Sequence, residues 1–150
     1  GINNNGDAVG SCTVSGDWTP LLRKSDGTIV KIDIPTEFVG DSDSQFYDIN
    51  NNGDAVGYFI DINWTTSIAF LRLSDGTITY LDELNDKTFL WSINDSRAIV
   101  GEVANSDWSE EYALYIPPLT NFIPDASTTK RGLVKVGDGL SIGELNSIRN

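Results

Sequence analysis

Repetition constrains this chain more than any other feature. Nine residues, Ile2-Asn3-Asn4-Asn5-Gly6-Asp7-Ala8-Val9-Gly10, return letter for letter from Ile49 to Gly57 and in degenerate form, INDSRAIVG, from Ile93 to Gly101. The offsets are 47 and 44 residues, and Trp18, Trp64 and Trp108 follow the leading isoleucines by 16, 15 and 15 positions. Further on, LRKSDGTIVKI (Leu22 to Ile32) matches LRLSDGTITYL (Leu71 to Leu81). A third copy, LYIPPLTNFI (Leu114 to Ile123), carries Pro117-Pro118 where the others have Ser-Asp. A chain with such a period is built of units that bury their apolar faces against one another. Two full units and a partial third are present.

Each unit reads as β-structure. Asn-Gly ahead of Asp-Ala-Val-Gly is a turn that leads into a strand, over about residues 7–14 and 54–60. An apolar strand follows the Trp, and Asp26-Gly27 and Asp75-Gly76 then predict type I′ hairpins. The return strands alternate apolar and polar residues with period two. A fourth strand, ending in Phe46-Tyr47-Asp48-Ile49 and in Leu90-Trp91-Ser92-Ile93, is expected to close the unit. No window has the period of an amphipathic helix. The expected class is all-β, with antiparallel four-stranded units of about 45 residues, the size of a propeller blade.

Composition narrows the functions open to such a fold. The 150 residues carry 22 acidic and 10 basic side chains, a net charge of −12, which repels a phosphate backbone and argues against nucleic acid. No apolar run approaches the roughly 18 residues of a membrane span, so no membrane insertion is expected. The chain has no His, which removes every Ser-His-Asp or Cys-His arrangement. Its single cysteine, Cys12, reads as a small apolar residue on a strand. A non-enzymatic protein is the expectation.

The pattern I-N-N-x-G-x-x-V-G, then an apolar strand with Ala69-Phe70, then S-D-G-T-I, resembles the bacterial extracellular repeat of the HAF family over about residues 1–123. The step that gives the family its name, His-Ala-Phe, is Thr19-Pro20-Leu21 and Ile68-Ala69-Phe70 here, and the usual Asp-Leu-Gly is blurred to Leu81-Asp82-Glu83-Leu84. The resemblance implies a β-propeller-like stack and brings no catalytic residues. A closed propeller takes about four blades or more. A chain with fewer than three belongs to a longer array, completes a ring by association, or forms an open stack.

Composition shifts after Pro124. Residues 1–124 have 19 acidic and 6 basic side chains, whereas residues 125–150 have 3 and 4. The run from Ala126 to Ile142, ASTTKRGLVKVGDGLSI, resembles the short repeat of phage tail fibres, which implies an extended, intertwined trimer. The expected organisation is therefore a repeat module, 1–124, and an extended C-terminal fibre-like segment, 125–150, serving oligomerisation or connection. Leu133, Val134, Val136 and Leu140 are its candidate contact residues, because so short an apolar segment needs a partner surface. That surface is other chains in a homotrimer, or the repeat module itself.

One chemical motif calls for weighing. Asp48-Ile49-Asn50-Asn51-Asn52-Gly53 fits the opening of a D-x-N-x-N-G calcium loop, with Asp48, Asn50 and Asn52 as candidate ligands. Its twelfth position is Phe59 instead of a bidentate Glu, and the turn chemistry of Asn and Gly explains the same letters without a metal. No cofactor is expected, with calcium the one alternative. The acidic pairs Asp41/Asp43, Asp82/Glu83 and Glu110/Glu111 read as solvated surface, not a glycosidase pair. Trp18, Trp64 and Trp108 read as packing between units, and Trp91 as core. Together these features point to a structural or binding component of a phage virion, such as a tail fibre, that contacts other virion proteins or a host-surface receptor. The alternative is a secreted bacterial repeat protein with an adhesive role.

Overall fold

The computed structural model describes residues 1–14, 16–33, 43–61, 63, 65–81, 87–105, 107–118 and 134–136. They form an all-β molecule of antiparallel sheets. The first sheet holds β1 (Ala8–Val14), β2 (Asp17–Arg23) and β3 (Ile29–Lys31). The second holds β4 (Gln45–Ile49), β5 (Ala55–Ile60), β6 (Ser67–Arg72) and β7 (Ile78–Leu81). The third holds β8 (Lys87–Ile93), β9 (Ile99–Ala104), β10 (Glu111–Ile116) and β11 (Val134–Val136). Within each sheet the strands lie side by side in chain order.

The strands that end in Phe46-Tyr47-Asp48-Ile49 and Leu90-Trp91-Ser92-Ile93 open the following sheets and do not close the preceding ones. The asparagine turns cause this. Each loop is five residues long and sets Ile49 opposite Ala55 and Ile93 opposite Ile99, so β4 pairs with β5 and β8 with β9. In the first sheet Gly1 and Ile2 hold the same place. Ile2 bridges Ala8, and Gly1 and Val9 exchange N–H···O bonds of 3.0 and 2.9 Å.

The Asp-Gly hairpins form where expected, in a different geometry. A type I′ turn needs positive φ at both central residues, yet only Gly27 (92°) and Gly76 (97°) are positive. The Gly27 N–H donates to Lys24 O and the Lys24 N–H to Thr28 O, which makes the loop five residues with glycine at its left-handed position. Asp26 and Asp75 each accept the N–H two residues on, from Thr28 and Thr77 at 2.8 Å, which holds the aspartate at negative φ.

The middle sheet is buried on both faces, and alternation along β5 divides its side chains between two cores. Ala55 and Phe59 join Val9, Leu22, Ile32, Phe46, Ile49 and Phe70 on the side of the first sheet. Val56 joins Ala69, Leu71, Leu90, Ile93, Ile99 and Leu114 on the side of the third. Tyr58 and Ile60 meet Phe89 in a smaller aromatic cluster. Between these residues, β4 crosses close over Gly57, where a Cβ would stand 2.2 Å from Gln45 O. Gly101 is under the same constraint from Phe89 O at 2.1 Å.

Candidate functional site

The most elaborate polar arrangement is built by the repeated asparagine turns. In each turn the first Asn folds its side-chain oxygen back onto two backbone N–H groups. Asn3 Oδ1 accepts from Asn5 and Asp7, Asn50 Oδ1 from Asn52 and Asp54, and Asn94 Oδ1 from Ser96 and Ala98, all at 2.9–3.0 Å. The fourth residue of the loop takes the left-handed conformation, Gly6 at 82°, Gly53 at 83° and Arg97 at 64°.

The side-chain amides then reach from one turn to the next. Asn3 Nδ2 donates to Asn50 O at 3.0 Å, and Asn50 Nδ2 donates to Asn94 O at 3.0 Å. The Asn4 N–H donates to Asn51 Oδ1, and the Asn51 N–H to Asp95 Oδ1, both at 2.8 Å. Asn5 Nδ2 meets Asn51 O, and Asn52 Nδ2 meets Asp95 O, again at 2.8 Å. The result is a ladder along one side of the stack that fixes the register of sheet on sheet. The N–H and side-chain amide of Asn51, in that order, hold the Asp95 carboxyl below its usual range.

A second polar tie lies beneath the ladder. Asp7 accepts the Ser25 N–H at 2.9 Å and lies 4.0 Å from Lys24 of its own unit, and its carboxyl is held low chiefly by the Ser25 bond. Asp54, fully buried, accepts the Ser74 N–H, but the position of Lys24 is taken by Leu73. Its cation comes instead from the next unit, where Arg97 Nε donates at 2.7 Å from the position of a glycine. This long-range pair has no signal in the sequence beyond the odd Arg in the degenerate turn.

The calcium candidates occupy this ladder. Asp48 Oδ1 accepts the Ile49 N–H, and Asp48 Oδ2 accepts Ser92 Oγ–H at 2.6 Å and the Ile93 N–H at 3.0 Å. The Asn50 oxygen is taken by two N–H groups, and Asn52 extends its amide to Asp95 O. The contacts of Asp48 Oδ2 and of the Asn52 amide join the second sheet to the third, and the others brace the turn itself. Among the tail residues, Val134 and Val136 lie on β11, which pairs with Tyr115 and Ala113 of β10 as the fourth strand of its sheet. Leu133 and Leu140 lie outside the described residues, as do Asp41, Asp82, Glu83 and Trp64. Glu110 and Glu111 are exposed at the end of the β9–β10 hairpin.

The tryptophans do not share one fate. Trp18 and Trp108, expected between units, are exposed instead, because both sit at hairpin ends where a sheet runs out into solvent. Trp108 stacks on Phe89 with ring centres 5.7 Å apart, and Lys87 Nζ lies 4.2 Å from its ring. Trp91 packs edge-on against Tyr47 at 4.5 Å and parallel to Phe89. Nearby, burial raises the Tyr58 hydroxyl, and burial and then Glu111 raise the Glu102 carboxyl. Compared with known family models, with curated proteins and with solved structures, the chain finds no match.

Proposed function

We propose that the chain is a non-enzymatic structural or binding component of a phage virion, fibre-like and trimeric, in which each sheet is one unit of a β-propeller-like stack. The observation that carries the stacked part of this reading is the ladder. The most repeated polar residues of the sequence bond to one another from unit to unit, which is the use expected of a scaffold. The virion part rests on the tail-fibre resemblance of residues 126–142, and the propeller-like part also on the HAF-type motif residues. Trimerisation through Leu133, Val134, Val136 and Leu140 would give the module its strength by avidity, with weak contacts to a receptor or another virion protein adding through effective concentration. In this reading the asparagine turns need no calcium or other cofactor, and Asp48, Asn50 and Asn52 serve stacking.

A second reading is favoured by the pairing of β11 with β10, which draws part of the tail into the repeat module. It is a secreted bacterial protein with an adhesive role. Immunolabelling decides between them. Antibody to the repeat module should decorate phage particles purified from cells that express this chain. Recovery of the chain free in the culture medium, with bare particles, contradicts the virion reading.

A further inference from the structure

The contact between successive sheets is made twice within this chain, and among the described residues each outer sheet leaves one half of it uncovered. Val9 pairs with Leu22, Val56 with Leu71 and Val100 with Tyr115 at the same register of their sheets. The first two pairs are buried against the sheet that follows. Val100 and Tyr115 are 46% and 40% exposed. The complementary half is also a register pair. Ile49 with Ala55 and Ile93 with Ile99 are buried against the sheet that precedes. Their counterparts are Ile2, 73% exposed, and Ala8, half-buried.

The polar ladder has matching ends. Asn50 and Asn51 reach forward to a carbonyl and a side-chain oxygen of the next turn. The Asn94 side-chain amide and the Asp95 N–H hold the same positions at the last turn. At the first turn, Asn3 O and Asn4 Oδ1 stand where Asn50 O and Asn51 Oδ1 receive such bonds. The letter-for-letter identity of the first two turns means that the first presents the same atoms as the second.

We propose that the outer face of the third sheet docks on the outer face of the first sheet in a second copy of this chain. Val100 and Tyr115 of one copy close over Ile2 and Ala8 of the other, and Asn94 and Asp95 extend the ladder to Asn3 and Asn4. The contact is head to tail, so it closes into a ring or runs on, and it is not a twofold pair. Exposed apolar residues on two faces whose counterparts already fit each other inside the chain are what such a contact requires. Each copy carries a net −12, so added salt tightens it by screening. The inference uses the repeat faces and not residues 125–150, and it stands or fails apart from the fibre reading.

The test is sedimentation of the full chain at graded concentration and salt. Ile2→Lys and Val100→Glu, both at exposed positions, should each keep the wild-type circular dichroism and melting temperature. Each should weaken association at least tenfold, and the double variant should recover it through a lysine–glutamate contact between copies. Association that ignores both single variants, or a double variant no better than either single, overturns the proposal. A Leu133→Asp chain, run in parallel, separates the two readings: tail-driven association falls there, and the effect of the face variants persists.

Discussion

Two glycines of the same motif have opposite environments. Gly57 lies beneath β4, with Gln45 O only 2.2 Å from where a Cβ would stand, whereas Gly10 meets nothing within 4 Å. Gly57→Ala should therefore cost about 2–4 kcal/mol through displaced backbone. Gly10→Ala should be neutral, or stabilise by up to about 1 kcal/mol through the unfolded chain. Chemical denaturation of both variants checks the pair, and equal effects would contradict the strand arrangement. Arg97 supplies a second test at this scale. Arg97→Gly relieves a positive φ but strips the buried Asp54 of its guanidinium, and a net loss of about 1–3 kcal/mol is expected. A stability gain would show that the pair contributes nothing.

At the scale of turns and strands, the ladder should make the molecule acid-sensitive. Asp7 and Asp95 accept backbone N–H bonds that hold their carboxyls below the usual range. A carboxyl whose folded pKa lies below its unfolded value stabilises the fold above the unfolded pKa, and this contribution is lost as pH falls through the folded one. The melting temperature should accordingly be level near neutrality and drop below about pH 4. Asp95→Asn should lower it at neutral pH and flatten the acid limb, and an unchanged acid limb would remove Asp95 from the cause. A chelator should leave the melting temperature unchanged. A rise with millimolar calcium that Asp48→Ala abolishes would make the turn a metal site.

Much of this level is legible in the sequence. Asn-Gly and Asp-Gly mark turns because a left-handed residue is cheap only there, and period-two alternation marks the strands between them. The phase is not legible. The stretch Phe46-Tyr47-Asp48-Ile49 has apolar residues for either neighbour, and only the length of the loop that follows assigns it to β5. Burial of the tryptophans is equally hidden, since equal spacing in a repeat makes Trp18 and Trp108 equivalent without saying that their hairpin ends are covered. The role of Asp48, Asn50 and Asn52 is blurred for a related reason, because turn chemistry and calcium chemistry draw on the same oxygens and amides.

Across the whole molecule, the middle sheet is, among the described residues, the one with a sheet on either side, and it is expected to be the last to open. Asn51 stands at its centre of polar contact, accepting from Asn4 and donating to Asp95. Asn51→Ala should cost about 1–2 kcal/mol, as several exposed hydrogen bonds are lost together. Association is the property on which the proposed function depends, since in that proposal the weak contacts of single modules add only when three are tied together. The mass of the full chain in solution, measured by sedimentation equilibrium at micromolar concentration with and without residues 125–150, tests this most directly. A trimer whose association weakens sharply on removal of the tail is the expected result; a full chain that sediments as a monomer contradicts the account.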